Sequence, residues 1–249
     1  MKRNLLYYVC PIKTNNQWEK NLDMISKYSD RFNNKIIVSI AVSEDNLEPP
    51  GKVKDAFRSR FSKKIQFIEC KNEYSVAEIL PFAKMIKEVK SEDEDEISFY
   101  AHAKGVSPRY SMKSKKTQLS NKIAWRNLMY HFCLNDIDEV EAAMKDSVSC
   151  GCIKREIKML GGSQSKWHYA GNFFWFKHKP IFSNKDWNKI RMIRVGVEAY
   201  LGENFDKETG HCLFGGDMPF CIVNYSVEKW NDYLSKYNLN FEDLYRGDL

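Results

Sequence analysis

Short apolar segments alternate with helix-forming segments through the first hundred residues, and this order restricts the fold more than any other feature. The apolar segments are rich in β-branched and aromatic residues, as buried strands are. They occupy residues 4–10, 35–42, 65–69 and 97–101. Helical spacing predicts helices between them, at 18–28, 53–61 and 76–89, with Pro81 either kinking the last helix or delaying its start. The alternation predicts an α/β fold with a mostly parallel sheet flanked by helices.

The composition fits one globular domain that spans residues 1–249. The chain is 43% apolar, which is enough for a core of this size, and it shows no internal repeat or linker. Its net charge is +6, from 39 basic and 33 acidic residues. Such a mild excess suits an anionic small ligand, a nucleic acid or a membrane face, and it does not choose among them.

Cysteine usage and hydropathy indicate a cytoplasmic protein. The seven cysteines are odd in number and mostly lie in apolar surroundings, which predicts reduced thiols. The N-terminal apolar run, residues 5–10, is too short for the core of a signal peptide. No stretch approaches the length of a membrane span, so any membrane association is expected to be peripheral.

Polar and conformationally special residues follow the first and fourth predicted strands. In open α/β sheets, ligands bind beyond the carboxyl ends of the strands, and we expect a site there. The residues are Pro11, Thr14 and Asn15 after the first strand, and His102, Lys104 and Gly105 after the fourth.

Residues 163–176 begin polar and end as an aromatic run that is too short and too β-prone for a helix. The segment predicts one buried strand. Gly171 permits close approach of a ligand or another backbone, and Asn172 supplies both a donor and acceptors. An ordinary core strand with a bulge at the glycine is the alternative.

The remaining segments are assigned more coarsely. Residues 106–122 are basic, rich in hydroxyl groups and poorly periodic, which predicts either a loop over the ligand cleft or a solvated surface loop. Further helices are predicted at 123–134, 138–144 and 187–200 and from residue 227, and further strands at 147–153 and 220–225, with a turn at 214–217 between them.

Three sequence blocks occur in a fixed order: 99–106 (FYAHAKGV), 125–126 (WR) and 168–175 (HYAGNFFW). Together they resemble the motifs of small nucleotide-sugar glycosyltransferases, the single-domain enzymes of bacterial surface-polysaccharide clusters and of large DNA viruses that glycosylate their capsids. The opening at 11–18 (PIKTNNQW) and a glutamate at position 198 extend the likeness over most of the chain.

The resemblance implies a GT-A-like, Rossmann-type single domain, with the donor nucleotide in the N-terminal half and the sugar and acceptor in the C-terminal half. It implies an inverting transfer of a hexose or pentose from a nucleotide-sugar donor to a hydroxyl of a glycan or glycoprotein acceptor. The implied donor-binding residues are Pro11, Thr14, Asn15, His102, Lys104, Gly105, Arg126, Gly171, Asn172 and Trp175.

The chain departs from this family at the end of the fourth strand. GT-A enzymes usually carry an Asp-x-Asp motif there, which holds a divalent metal on the diphosphate, whereas this chain has His102 and Lys104. Lys104 is therefore a candidate fixed cation for the diphosphate, and a surface lysine is the alternative. A Mn or Mg cofactor stays open, with His102 and His211 as candidate ligands. The acidic run at 92–96 precedes the strand, which predicts a solvated turn at the opposite end.

An inverting transfer needs a carboxylate that accepts the proton of the acceptor hydroxyl. Glu198 is the first candidate, because it follows the aromatic segment where GT-A enzymes place their catalytic acidic residue. A helix-surface pair with Arg194 is the alternative explanation for this glutamate. Asp217, which follows two glycines, is the second candidate.

Two other functions fit the same sequence. One is a non-catalytic nucleotide- or carbohydrate-binding module on the same fold. The other is a nucleic-acid-binding protein that uses the basic segment 109–122, and its binding would fall steeply with salt. The mild charge excess and the interspersed acidic residues make nucleic acid the less favoured partner.

Overall fold

The computed structural model describes residues 1–43, 46–73, 76, 78–104, 113–156, 161–216 and 225–247, apart from the side chains of 113–118. The described strands are β1 (Lys2–Val9), β2 (Ile36–Val42), β3 (Ile65–Lys71), β4 (Glu96–His102), β5 (Ser149–Cys152), β6 (Lys154–Glu156), β7 (Trp167–Tyr169), β8 (Phe174–Lys177) and β9 (Gly210–Phe214). The described α-helices are α1 (Gln17–Ser26), α2 (Pro50–Arg58), α3 (Ile79–Glu88), α4 (Lys113–Leu134), α5 (Ile137–Asp146), α6 (His178–Ser183), α7 (Gly196–Asn204), α8 (Val227–Leu234) and α9 (Phe241–Arg246).

Seven of these strands form one sheet in the order β3-β2-β1-β4-β8-β5-β9. All neighbours run parallel except at β8, which pairs antiparallel with both β4 and β5. Strands β6 and β7 form a separate antiparallel pair. The predicted α/β class with a mostly parallel, helix-flanked sheet is confirmed. In the described part of the chain, no helix combines the length and the apolar character needed to cross a membrane.

Strand β1 lies in the middle of the sheet and is buried on both faces. Leu5 and Tyr7 point into the core that contains α1, α2, α4 and α5. Leu6, between them, points into the core of α3, α6 and α7 on the opposite face. A strand covered on both sides favours apolar residues on both faces, which explains the continuous hydrophobic run that follows the buried Asn4.

The helices that connect the parallel strands change faces between β1 and β4. Helices α1 and α2 pack on one face, whereas Phe82 of α3 packs with Leu6 on the other. Strand order therefore reverses between β1 and β4, and their carboxyl ends border a crevice. Helix α3 begins at the same edge, because a helix that follows a parallel strand starts where that strand ends.

The starts of two helices differ from the predicted positions, and each difference involves a proline. Helix α2 was predicted to begin at residue 53, but Pro50 is its first residue, where a proline's missing N–H costs nothing and its fixed φ suits the helix. Helix α3 begins at Ile79, so Pro81 lies in its first turn. The expectation that Pro81 delays the start of this helix is confirmed, and the predicted start at Val76 is wrong.

The prediction of a loop over 106–122 is wrong from Lys113 onward, because α4 begins there. Residues 105–112 lie outside the described residues. The helix predicted over 187–200 begins only at Gly196. Strand β9 was not predicted. Of the strand expected at 220–225, residues 220–224 lie outside the described residues.

Residues 163–176 do not form one strand. Strand β7 pairs with β6, and β8 pairs with β4 and β5, so the segment belongs to two sheets. The chain turns between them at Gly171 and Asn172, whose φ angles are 97° and 59°. Successive left-handed residues reverse a chain sharply, and glycine and asparagine are the residues that adopt this conformation most readily.

The prediction that the cysteines lie in the core is confirmed for four of the seven cysteines. Six of them lie in the described part of the chain, and all six are free. Cys70, Cys133, Cys150 and Cys152 are buried. Cys221 lies outside the described residues.

A buried polar network closes the sheet edge opposite the crevice. The His178 ring lies 2.7 Å from the Ser98 hydroxyl and 3.0 Å from that of Ser91. Glu96 accepts a hydrogen bond from Asn4 at 2.8 Å and lies 3.6 Å from the ring. Glu96 is only 5% exposed, so the prediction of a solvated acidic turn is wrong for this residue. Its position at the amino-terminal end of β4 is as expected.

His178 makes stability dependent on pH. Burial lowers the pKa of the ring to about 4, and the nearby Glu96 only partly opposes this. The unfolded chain takes up this proton near pH 6.5, so the folded state loses stability as the pH falls from about 6.5 to about 4. We expect His178→Gln to flatten the change in unfolding free energy between about pH 7 and about pH 5, measured by urea denaturation. His211→Gln, at an exposed histidine, is the control, and an unchanged slope in His178→Gln contradicts the assignment.

Candidate functional site

The crevice between β1 and β4 is built by the residues that follow the two strands. Tyr8 pairs in register with His102, and the Ala103 N–H donates to the Tyr8 carbonyl at 2.9 Å. The chain therefore stays hydrogen-bonded to β1 as it leaves β4. Lys104 follows immediately, and Pro11 follows β1 at the same edge.

Asn21 of α1 fixes the backbone of Lys104. Its side-chain oxygen accepts from the Lys104 N–H at 3.0 Å, and its amide donates to the Lys104 carbonyl at 2.9 Å. Asn21 is fully buried. A buried amide that satisfies both backbone groups of one residue sets the position of that residue closely.

The Lys104 ammonium lies over an aromatic ring. Its Nζ is 3.9 Å from the centroid of Trp125 on α4, a cation–π contact. Burial lowers the pKa of Lys104 to about 8, while the negative charges of Glu198 and Glu78 oppose the shift. The ammonium makes no hydrogen bond to the described residues, so its N–H groups are available to donate to a ligand.

Gly171 lies directly against this cation. A Cβ at this position would be 2.9 Å from Lys104 Nζ and 3.1 Å from the Trp125 ring. These side chains fill the space that a Cβ would need, and the φ of 97° is also one that residues other than glycine rarely adopt. On its other side, the Gly171 N–H donates to Glu198 Oε1 at 3.2 Å. Gly171 therefore stands between an ammonium and a carboxylate.

Glu198 lies in the first turn of α7, where the helix dipole favours a carboxylate. Its side chain is 22% exposed, and Oε1 lies 3.8 Å from His168 Nε2. Burial lowers the pKa of His168, against the opposing charge of Glu198, so the imidazole stays neutral near pH 7. Glu198 Oε2 has no hydrogen-bond partner among the described residues and is available to accept a proton.

Glu78 is a site residue that the sequence analysis missed. Its carboxylate accepts from the Tyr100 hydroxyl at 2.7 Å, from His102 Nδ1 and from the Asn172 amide at 2.5 Å. Burial alone opposes ionisation, but the charge of His102 and these hydrogen bonds outweigh it, so the pKa of Glu78 lies below its ordinary value. The carboxylate thus ties the end of β4 to the Gly171–Asn172 turn.

A topological signal for Glu78 and Asn21 was present in the sequence. Glu78 immediately precedes α3, and Asn21 lies in the second turn of α1. Both helices follow parallel strands and so begin at the edge where ligands bind. The polar residues near the starts of both helices were candidates for that reason, although the sequence pattern does not show which of them point inward.

Trp175, expected to contact the donor, is a core residue. It is fully buried, its ring lies 5.1 Å from that of Phe99, and its indole N–H donates to the Cys133 carbonyl at 2.8 Å. A ring enclosed in this way offers no face to a sugar. Trp125, beneath the Lys104 ammonium, is the aromatic residue of the crevice instead.

The other predicted donor residues divide into three groups. Pro11, Thr14 and Asn15 lie after β1 at the crevice edge, and Asn15 Oδ1 accepts from the Gln17 N–H at 3.1 Å. Arg126 is buried, and its guanidinium bonds to Asn127 Oδ1 at 2.8 Å. Gly105, and with it the second catalytic candidate Asp217, lies outside the described residues.

His102 and His211 do not form a metal site. They lie on β4 and β9, which are separated by β8 and β5, so the sheet places them roughly 14 Å apart at the usual strand spacing. In addition, His102 Nδ1 is taken by Glu78, and His211 is exposed. The described residues contain no group of three or more His, Cys, Asp or Glu side chains that fits a metal ion.

Comparisons with known proteins do not identify a family for this chain. No protein-family model matches the chain, and no curated protein matches it significantly. One similar solved structure is a mannosyltransferase from Pyrobaculum calidifontis in complex with GDP-mannose and Mn²⁺, with 14% sequence identity and a TM-score of 0.43. The match covers 80% of this chain and 50% of the other, so the chain spans about half of that enzyme. A likeness of this degree carries no information on substrate or cofactor.

Comparing Gly171→Ala with Gly162→Ala distinguishes the cost of backbone strain from the cost of steric crowding at the site. Gly162 also has a positive φ, of 87°, but an added Cβ there meets nothing within 4 Å. We expect Gly162→Ala to lose only the conformational term, about 1 to 2 kcal/mol of unfolding free energy. Gly171→Ala should lose that amount and about 1 to 3 kcal/mol more, because the new methyl displaces the ammonium and the indole. Equal losses in urea denaturation would show that the Lys104 side chain is not packed against Gly171.

Proposed function

We propose that the protein is a glycosyltransferase that moves a sugar from a nucleotide-sugar donor to a hydroxyl of a glycan or glycoprotein acceptor. The observation that carries the proposal is the pair of opposite charges on either side of Gly171, the Lys104 ammonium and the Glu198 carboxylate, at the β1–β4 crevice. The sequence blocks that resemble small glycosyltransferases supply Lys104, Trp125 and Gly171, and the further likeness at position 198 supplies the glutamate.

Lys104 suits the leaving group of such a reaction. Breaking the bond between the sugar and a nucleoside diphosphate leaves negative charge on the phosphate oxygens, which a fixed cation stabilises. A partly desolvated ammonium interacts with that charge more strongly than one in bulk water. Gly171 lets Nζ lie directly against the backbone of the turn, where a side chain would displace it.

Glu198 suits the other half of the reaction. The acceptor oxygen bonds to the anomeric carbon as the bond from that carbon to the phosphate oxygen breaks, and the electron pair leaves with the diphosphate. The acceptor proton passes to Glu198, which acts as general base. A single displacement of this kind inverts the anomeric configuration. Because His168 is neutral, the carboxylate has no cationic partner on that side.

The described residues at this strand end do not provide a metal centre, and the steps above use none. Lys104 occupies the place where an acidic motif would hold a metal on the diphosphate. Asn21 and Glu78 act as positioning residues, the first on the Lys104 backbone and the second on the Gly171–Asn172 turn.

The pKa of Lys104 predicts how diphosphate binding changes with pH. As the pH rises past about 8, the free protein loses the ammonium charge, so we expect nucleoside diphosphate affinity to fall. Lys104→Met should bind diphosphates weakly at every pH and should bind the nucleoside alone as the wild type does. Calorimetry across a panel of nucleoside diphosphates measures both.

Lys90→Met is the matched control, because Lys90 also lies over an indole ring, 5.1 Å from the centroid of Trp187, but away from the crevice. It should leave the affinity and its pH dependence unchanged. A fall above about pH 8 that persists in Lys104→Met would assign the titration to another group.

Glu198→Gln tests the general base. The amide keeps the size of the side chain and removes its basicity, so we expect kcat to drop by about 10² to 10⁴ while donor Kd stays near the wild-type value. Glu139→Gln is the control, since Glu139 is an exposed glutamate in the first turn of α5. Near-normal turnover in Glu198→Gln, together with loss of turnover in Asp217→Asn, would move the role to Asp217. A product with retained anomeric configuration would contradict the single displacement.

A further inference from the structure

A cavity of about 430 Å³ opens between α1, α4 and α9, away from the crevice. Its floor consists of the buried residues Met24, Arg126 and Asn127. Exposed residues form its rim, among them Lys20, Lys27 and Tyr245. Lys104, Gly171 and Glu198 do not line it, so it is a separate surface feature of the fold.

Arg126 is an unusual group to find on such a floor. It is only 3% exposed, its Nε donates to Asn127, and one of its terminal nitrogens is buried without a hydrogen-bond partner. No carboxylate pairs with it in the described part of the chain. Its neighbours Tyr7 and Tyr130 are buried, and burial raises the pKa of both, so they remain neutral. Burying a guanidinium without a counter-charge costs free energy, and an anion in the cavity would supply that counter-charge.

The rim adds positive charge. Lys20, Lys27 and Arg246 are cations, and Arg246 is paired with Glu242 at 2.8 Å. The only carboxylate on the described lining is Asp23. Asp23 is already paired with Arg60 at 2.7 Å. The cavity therefore presents a positive potential that concentrates anions at its mouth.

The lining also has an apolar part. Met24 and Ile123 contribute aliphatic surface, and the Tyr245 ring is 40% exposed and stacked on Phe241 with an interplanar angle of 3°. The volume falls within the range of sites for small molecules. A guanidinium on the floor matches the geometry of a phosphate group, and a rigid exposed ring suits a flat organic group attached to it.

We propose that this cavity binds a small organic phosphate monoester, with its phosphate on Arg126 and its organic part against Tyr245. The site is distinct from the crevice and does not rest on the glycosyltransferase proposal. A concave site with a buried guanidinium favours a small ligand over a nucleic acid or a lipid surface, which would use exposed cations on a broad face.

The experiment uses a Lys104→Met background to silence anion binding at the crevice. Phenyl phosphate and inorganic phosphate are titrated by calorimetry at constant ionic strength, and ¹⁵N-arginine labelling follows the Arg126 Nε–H signal. We expect phenyl phosphate to bind more tightly than inorganic phosphate and to shift that signal. Adding Arg126→Met should weaken phenyl phosphate binding about tenfold or more, whereas Arg58→Met, at an exposed arginine of α2, should not.

A second readout separates a ligand site from a structural arginine. Because methionine fills a similar volume without a charge, Arg126→Met should leave the ligand-free Tm unchanged or raise it. If that variant does not fold, exposed changes replace it: Lys27→Glu should weaken both phosphates, and Tyr245→Ala should abolish the preference for phenyl phosphate. Equal phenyl phosphate affinity in all variants, or no binding at millimolar concentration, overturns the proposal.

Discussion

The buried carboxylate of Glu78 joins two parts of the chain that lie far apart in the sequence. It accepts hydrogen bonds from Tyr100 and His102 at the end of β4 and from Asn172 in the turn that precedes β8. Because an ionised carboxylate in the interior is tolerated only when donors surround it, the three contacts depend on one another. The position of Gly171 beside the Lys104 ammonium follows from this arrangement.

The crevice and the cavity handle buried positive charge in different ways. Lys104 keeps an aromatic face beneath it and two carboxylates within electrostatic reach, and its pKa still falls to about 8. Among the described residues, Arg126 bonds to the amide of Asn127 and lies near two neutral phenols, and a guanidinium keeps its proton at physiological pH. The environment of Lys104 is compatible with the proposed role in stabilising a leaving group. The environment of Arg126 is compatible with the proposed binding of an anion.

Much of the site was visible in the sequence, because ligand-binding positions in an α/β fold follow from strand order. His102, Lys104 and Gly171 were singled out from strand ends and from one glycine in an aromatic run, and the structure brings them to one edge. Trp175 was misassigned, because period-two alternation does not say which aromatic side chains face the core and which face a cleft. Glu78 was missed, because the spacing of apolar residues in α3 identifies the buried face of that helix. It does not show which polar residue before the helix turns inward.

The sequence by itself determined the alternation of strands and helices, and with it the α/β class and the edge at which a ligand site is expected, because apolar periodicity and local propensity are properties of neighbouring residues. Only the tertiary structure decided that residues 163–176 split between two sheets, that Glu198 reaches Gly171, and that Arg126 lines a separate cavity. Those contacts join positions far apart in the chain. They depend on how the helices pack and on which buried charges find partners, and neither is encoded in any single segment.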